Sequence, residues 1–147
     1  MTQNDIVVLD TNVFSLLRTM EITQAVRRLP EVRDWLKTLI GRQFVISFQT
    51  RAEVLQGAYA AKWGKARLAA LHRVLDATRT IPADEVVIDT AARLFAEAKA
   101  AGHPLHDKIH TADRWIAASA MAYDLPLFTT DHVFTDTPGL RLFSPVQ

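Results

Sequence analysis

The sequence contains no cysteine, so it can form no disulfide and offers no thiolate as a metal ligand or a nucleophile. It also lacks any apolar run approaching the roughly 20 residues that a membrane-spanning helix needs. Its first residues, MTQNDIVV, show no basic stretch followed by a long apolar one. These absences exclude a disulfide-stapled secreted scaffold and a thiol enzyme. We therefore expect a soluble protein of the cytoplasm with no membrane partner.

The chain has little excess charge, with a formal net charge of +1 at pH 7. Total charge therefore gives no sign of a nucleic-acid partner, and any such attraction needs a local basic patch. The hydrophobic fraction of 49% and the charged fraction of 22% are ordinary for a globular domain, which excludes disorder and a fibrous class. A length of 147 residues suits one domain with a real core, so we assign residues 1–147 to a single domain.

Predicted strands and helices alternate along the chain. Short apolar runs predict strands at residues 6–9, 44–48, 125–129 and 140–143. Apolar residues three and four apart predict helices at residues 30–41, 84–102 and 110–124. The apolar stripe of the second helix is Val87, Ala91, Leu94, Phe95 and Ala98, and that of the third is Ile109, Ala112, Ile116, Ser119, Ala120 and Tyr123. Alternation of this kind predicts an α/β fold with a mostly parallel sheet covered on both faces.

Two acidic residues follow the first two predicted strands. In such sheets ligands bind beyond the carboxyl ends of the strands, and Asp10 in IVVLDTN lies at such an end. A single aspartate there is more often a helix N-cap. Glu53 falls in the first turn of the helix after the second strand, where Thr50 and Glu53 together match a T-x-x-E capping box. Neither residue alone is evidence of a site.

Two more acids have equally ordinary explanations. Asp113 stands near the start of a buried helix face, where a negative charge is favoured. Asp131 follows the strand LPLFT and suits a turn or a cap. Most of these acids come just after a strand or at a helix start, positions that a parallel sheet brings to one edge. We therefore favour one acidic cluster over four unrelated capping or turn roles.

The motifs that carry these acids resemble those of a known family. VVLDTNVF, SFQTRAEVLQG and DRWIAASAMAYDLPLFTTD, followed by Phe134, resemble in order the successive motifs of PIN domains. Among PIN domains they are most similar to VapC toxins of VapBC toxin–antitoxin pairs. The resemblance covers nearly the whole chain. The segment GHPLHDKIHTAD departs from the family pattern by its length, and Val133 stands where a further acid is common.

The resemblance implies a PIN-like three-layer α/β/α sandwich and a metal-dependent endoribonuclease. Its catalytic and metal-binding residues would be Asp10, Glu53, Asp113 and Asp131, and the small polar residues that orient them would be Thr11, Asn12, Ser47, Thr50 and Thr129. The implied cofactor is Mg²⁺ or Mn²⁺, the substrate is RNA, and the implied partners are a VapB-type antitoxin and a second copy of the chain.

Elementary chemistry agrees with that implication. Two carboxylates ~4 Å apart repel by about 4 kcal/mol even at an effective dielectric near 20, so a cluster of four needs cations. Oxygen ligands without thiolates favour hard ions such as Mg²⁺ and Mn²⁺ over zinc. Such an ion would neutralise the phosphodiester, activate a water and stabilise the departing oxygen.

Basic residues offer a possible path for an RNA backbone beside these acids. We select Arg51, Arg114 and Lys108 as the first candidates. The wider set is Arg18, Arg27, Arg28, Arg33, Lys62, Lys65, Arg67 and Arg73. Each is as readily explained as a solvated surface residue. Trp63 could stack on a base, although packing against a helix or an antitoxin segment is the more common role.

Other functions remain open at this stage. His103, His106 and His110 could form a zinc site, with His106 and His110 one helical turn apart if their segment is helical, but no H-E-x-x-H motif supports this. The ordinary explanation of these histidines is a solvated or capping role, and a substrate-facing role for His106, Asp107 or His110 is intermediate between the two. A phosphatase of the haloacid dehalogenase type would need an acid where Asn12 stands. A housekeeping RNA-processing nuclease and a non-catalytic RNA-binding domain also fit the pattern.

Overall fold

A computed structural model describes residues 5–20, 34, 37–39 and 41–143 of the chain. The strands are β1 (Ile6–Leu9), β2 (Gln43–Ser47), β3 (Arg79–Ile81) and β4 (Leu127–Phe128). The α-helices with described bounds are α1 (Thr11–Met20), α2 (Phe48–Ala60), α3 (Lys65–Ala77), α4 (Glu85–Ala101) and α5 (Thr111–Ala122). Short 3₁₀ turns cover Pro104–His106, Lys108–His110 and His132–Phe134.

The four strands form one parallel sheet in the order β3-β2-β1-β4. Leu9 at the end of β1 pairs with Ile46 of β2 and with Phe128 of β4. The carboxyl ends of these strands therefore meet at one edge of the sheet, which we call the carboxyl edge. The expected mostly parallel sheet is confirmed.

Alternating strand residues divide the core between two helix layers. Val8 and Val45 face a cluster built with α4 and α5, whereas Val7, Leu9 and Ile46 face a second cluster built with α1, α2 and α3. Helices therefore cover both faces of the sheet. The expected three-layer α/β/α arrangement is confirmed.

Helix α4 forms because its sequence satisfies both ends as well as its apolar face. Asp84 accepts a hydrogen bond from the Val87 backbone at 2.9 Å, and Gly102 ends the helix in the left-handed conformation with φ 68°. The expectation that Phe95 lies on the buried stripe is wrong, since its ring is 40% exposed. Arg114 covers that ring from 5.2 Å instead.

The predicted apolar face of α5 is confirmed only for its central residues. Ile116, Ser119 and Ala120 are buried, but Ile109 is 80% exposed because it belongs to a 3₁₀ turn outside α5. Tyr123 is also exposed, since it follows the last turn of α5 and its hydroxyl donates to Asp84.

Two further sequence predictions have mixed outcomes. In place of a strand at 140–143, Leu142 forms a single bridge to Leu127. The predicted helix at 30–41 lies mostly outside the described residues, although residues 34 and 37–39 are helical and Gly41 has a φ of 81°. Arg27, Arg28 and Arg33 lie outside the described residues as well. Strand β3 was not predicted, because it has only three residues, ends before Pro82 and is too short to show a pattern.

No helix in the described part of the chain is both long enough and apolar enough to cross a membrane. The expected cytoplasmic location stays a prediction.

Candidate active site

Asp10 lies between β1 and α1 at the carboxyl edge, with only 4% of its surface exposed. One carboxylate oxygen, Oδ1, accepts from the Thr11 backbone N–H at 2.8 Å, and Oδ2 accepts from the Thr129 hydroxyl at 2.7 Å. An N-cap side chain would accept from the second or third N–H of the helix, whereas Asp10 accepts from the first. The Asp10 side chain is therefore held between two strand ends rather than used as an ordinary cap.

Burial raises the pKa of Asp10 above its usual 3.8. The hydrogen bonds from Thr129 and Thr11 act in the opposite direction, and the nearby carboxylates of Asp113 and Asp131 raise the pKa further. Within the described residues no lysine or arginine pairs with Asp10. Asp10 is thus buried near other acids, with no counter-cation among the residues that the structure describes.

This burial predicts a pH-dependent loss of stability in the metal-free protein. Because the folded-state pKa of Asp10 exceeds the unfolded value, its favourable contribution is complete below about pH 4 and is lost as pH rises through the folded-state pKa. Urea unfolding in EDTA between about pH 4 and 8 should therefore show wild type losing stability relative to Asp10→Asn as pH rises. A constant difference between the two proteins across that range would contradict the raised pKa.

Glu53 points from α2 toward the start of α1. Its Oε2 accepts a short hydrogen bond from the Thr11 hydroxyl, and its Oε1 accepts from the Gln49 side chain at 3.3 Å. The Thr50 and Thr11 hydroxyl oxygens lie 3.0 Å apart. Because Thr11 gives its one hydroxyl proton to Glu53, Thr50 must donate to Thr11.

The capping-box explanation of Glu53 is wrong. Helix α2 begins at Phe48, and its N-cap is Ser47, whose hydroxyl accepts from the Gln49 backbone N–H at 3.1 Å. Thr50 is already inside the helix and fully buried, so Glu53 lies in the second turn rather than the first. The Ser47 hydroxyl also contacts the Ser119 hydroxyl at 2.7 Å, which joins α2 to α5.

Asp113 occupies the first turn of α5, where the helix dipole favours its charge. Its Oδ2 lies 3.1 Å from Nδ1 of His110, and 27% of each side chain is exposed. The carboxylate is therefore open to solvent on one side. An H-x-x-D spacing in the sequence could have indicated this contact, which we did not predict.

Asp131 caps the 3₁₀ turn after β4, as its ordinary explanation expected. Its Oδ1 accepts from the Val133 N–H at 2.9 Å. Its own N–H donates to the Thr129 hydroxyl at 3.0 Å, and Thr129 in turn donates to Asp10. Thr129 therefore connects two of the four candidate acids.

The structure brings Asp10, Asp113 and Asp131 close enough for their charges to interact, and Thr11 connects Glu53 to the same edge. Thr11 and Thr129 contact the acids directly and Thr50 acts through Thr11, whereas Ser47 contacts Ser119 instead. Asn12 is exposed.

The donor chemistry of this edge fits a hard divalent cation. Carboxylate and hydroxyl oxygens are the ligands that Mg²⁺ and Mn²⁺ prefer. Among the residues that the structure describes, no three carboxylate or imidazole groups stand close enough to hold an ion between them. This spacing still suits Mg²⁺, which commonly keeps several waters and takes only one or two carboxylates from the protein.

The histidines are not arranged as a zinc site. His106 and His110 lie in two separate 3₁₀ turns, because Asp107 is extended between them and caps the second turn through the Ile109 N–H at 3.2 Å. The continuous helix on which the alternative of a zinc site depended is therefore not formed. His103 is buried, with Nδ1 accepting from the Leu105 N–H and Nε2 lying 2.8 Å from the Thr135 carbonyl oxygen. His106 contacts the His103 carbonyl.

Two of the selected RNA-contacting residues bind groups of the protein itself. Arg51 forms an ion pair with Asp76 at 2.8 Å and also donates to the Leu75 carbonyl. Arg114 donates to the Leu105 carbonyl at 2.6 Å. Lys108 is exposed.

A parallel sheet with acids and threonine hydroxyls at its carboxyl edge is the arrangement that the sequence motifs had suggested. The family model for the PIN domain matches residues 7–140. The chain therefore belongs to the PIN domain family.

Similar proteins include a VapC ribonuclease and two proteins of known structure. The chain is 32% identical over 145 residues to the VapC ribonuclease Y4jK of Sinorhizobium fredii, a match that covers 95% of this chain and 96% of the relative. The structure also resembles FitAcB from Neisseria gonorrhoeae, with a TM-score of 0.68, 30% identity and coverage of 95% and 97%. VapBC-1 from nontypeable Haemophilus influenzae shares the fold with a TM-score of 0.71 at 19% identity, with coverage of 97% and 99%.

Proposed function

We propose that the chain is a single PIN domain, residues 1–147, that acts as a metal-dependent endoribonuclease and as the toxin of a toxin–antitoxin pair. The observation that carries this proposal is the burial of Asp10 near Asp113 and Asp131 without an ion pair to any lysine or arginine in the described part of the chain. Burying a carboxylate near other acids destabilises a fold, so a purely structural role does not account for the position of Asp10. The relative named as a VapC ribonuclease supports the choice of RNA as substrate.

Asp10, Glu53, Asp113 and Asp131 would hold Mg²⁺ or Mn²⁺, partly through waters. When bound, the ion supplies Lewis-acid stabilisation of the phosphate's developing charge and makes a nearby water more acidic. Thr129 and the Thr11 backbone fix the orientation of the Asp10 carboxylate, and the Thr11 hydroxyl fixes that of Glu53. Water oxygen would form the new bond to phosphorus as the bond to the 3′ oxygen breaks, which leaves a 5′-phosphate and a 3′-hydroxyl.

We further propose a VapB-type antitoxin as partner and a homodimer as the assembly. The solved structure of VapBC-5 from Mycobacterium tuberculosis, a member of the VapBC family of toxin–antitoxin systems, is 28% identical and supports the first choice. An antitoxin could inhibit by covering the acidic edge or by placing an arginine or lysine there, since the unpaired carboxylates attract a cation. A short neighbouring reading frame that encodes such a partner would separate a toxin from a housekeeping nuclease.

The proposal is tested by induced expression of wild type beside Asp113→Asn, followed by sequencing of new RNA 5′ ends. Wild type should arrest growth and produce discrete new 5′ ends, whereas the variant should do neither, because asparagine keeps the side-chain shape but removes the charge. Growth arrest that is unaffected by Asp113→Asn would defeat the nuclease assignment. Asp89→Asn is the matched control, since Asp89 is an exposed aspartate on α4.

A further inference from the structure

Two arginines from different helices converge on Trp63, which lies in the loop between α2 and α3. The guanidinium carbon of Arg67 lies 3.7 Å from the centre of the Trp63 ring, and that of Arg18 lies 5.8 Å from the same ring. Trp63 is partly buried and packs against the core cluster shared by α1, α2 and α3. The ring therefore holds both cations against a fixed support.

Neither cation is neutralised by the described part of the chain. Arg18 and Arg67 form no ion pair there, and Nε of Arg18 is buried without a hydrogen-bond partner. Burial lowers the pKa of Arg18, and the nearby positive charge of Arg67 lowers it further. Two like charges held together with an unused donor are the features of an anion-binding site.

The surrounding sequence strengthens this charge. Residues 54–75 include no aspartate or glutamate, whereas Lys62 and Lys65 flank Trp63 and are exposed. An approaching anion therefore meets a basic surface that no acid from this segment neutralises. The whole protein has a net charge of only +1, so this basic surface is local.

The position of the pair favours a nucleic acid over other anions. Helix α1 begins beside Asp10 and reaches Arg18 about 10 Å further along its axis, at ~1.5 Å per residue. Helix α2 carries Glu53 and leads toward Trp63. Both helices thus connect the acidic edge to the arginine pair, so one extended RNA chain could contact both the acidic edge and the arginines. Arg67 already lies against the indole ring, which favours backbone phosphate over a stacked base as the bound group.

We propose that Arg18 and Arg67, supported by Trp63, form a phosphate-binding subsite for the backbone of single-stranded RNA. The proposal rests on the proposed ribonuclease function. It assigns phosphate binding to arginines without carboxylate partners in the described chain, in place of Arg51 and Arg114, which bind groups of the protein.

The experiment measures binding of a fluorescein-labelled single-stranded RNA in EDTA, so that no cleavage takes place. The dissociation constant is determined over a series of salt concentrations for wild type, Arg18→Ala, Arg67→Ala and the double variant. Each phosphate contact contributes about 0.7 to the slope of log affinity against log salt. Each single substitution should therefore reduce the slope by about 0.7 and weaken binding at low salt, and the double variant should lose about twice that slope.

Arg93→Ala is the matched control, because Arg93 is an exposed arginine on α4 in the opposite helix layer. It should leave the slope unchanged. Arg18→Lys keeps the charge and should retain most of the slope, and thermal melting in Mg²⁺ checks that each variant is folded. Unchanged slopes in folded Arg18→Ala and Arg67→Ala would overturn the proposal, as would variants that bind RNA normally but lose affinity for the antitoxin. If these variants lose RNA binding but the wild type itself does not cleave RNA in Mg²⁺, the phosphate-binding subsite is supported and the nuclease function is refuted.

Discussion

Replacing Asp10 by asparagine should lower the rate of RNA cleavage about a thousandfold. In the function that we propose, Lewis-acid stabilisation worth several kcal/mol would depend on this carboxylate, and each 1.4 kcal/mol is tenfold in rate. The fold should survive the change. Asparagine can still accept from the Thr11 N–H, and its amide can donate to the Thr129 hydroxyl, which has lone pairs to accept it. Cleavage of a labelled RNA under single-turnover conditions measures the effect.

The same variant should also lose most of its thermal response to metal. Ions that bind only the folded state raise the melting temperature, so Mg²⁺ or Mn²⁺ should raise that of wild type by several degrees. Asp89→Asn, with the same chemical change on the surface of α4, should behave as wild type in both assays. If Asp10→Asn cleaves RNA within a few-fold of the wild-type rate, Asp10 is not part of the active site. If the melting temperature of wild type responds to neither ion, the proposed metal site is wrong.

Thr11→Val should reduce cleavage by about 10- to 100-fold, the range typical of partners that orient metal ligands. Valine has nearly the shape of threonine but cannot donate to Glu53 or accept from Thr50. Glu53 would then keep only its contact with Gln49 and would sample more orientations. The rate of cleavage and the affinity for Mn²⁺ should fall together.

Two variants separate orientation from general stability. Thr11→Ser keeps the hydroxyl and should recover most of the lost activity. Thr90→Val makes the same exchange at a buried site in α4, where the hydroxyl bonds only within its own helix, and should leave cleavage unchanged. If Thr11→Ser cleaves RNA as slowly as Thr11→Val, the Thr11 hydroxyl is not the group on which cleavage depends.

The sequence predicted the fold where each signal was local and long enough. The IVVL strand and the α4 helix have complete patterns with defined ends, and both form as expected. Phe95 and Ile109 were assigned to buried faces wrongly because helical spacing alone does not say how far the neighbouring layer extends. Strand β3 left too short a pattern to be predicted, since its pairing with β2 and not its own sequence defines it.

The candidate site was less predictable from local rules. Thr50 and Glu53 satisfy the spacing of a capping box, but the cap falls three residues earlier at Ser47, and this shift frees Glu53 to meet Thr11. The contact joins residues 42 positions apart and depends on how α1 packs against α2. No pattern within either segment carries that information.

Thr129 orders the hydrogen bonds of the site in one direction. Its hydroxyl accepts from the Asp131 backbone and donates to Asp10, just as Thr50 donates to Thr11 and Thr11 to Glu53. Both chains of hydrogen bonds therefore end on carboxylate oxygens, one on Asp10 and one on Glu53. The hydroxyls of Thr129 and Thr11 therefore hold the Asp10 and Glu53 side chains in fixed orientations, so the ion binding that we propose would not require either side chain to rearrange.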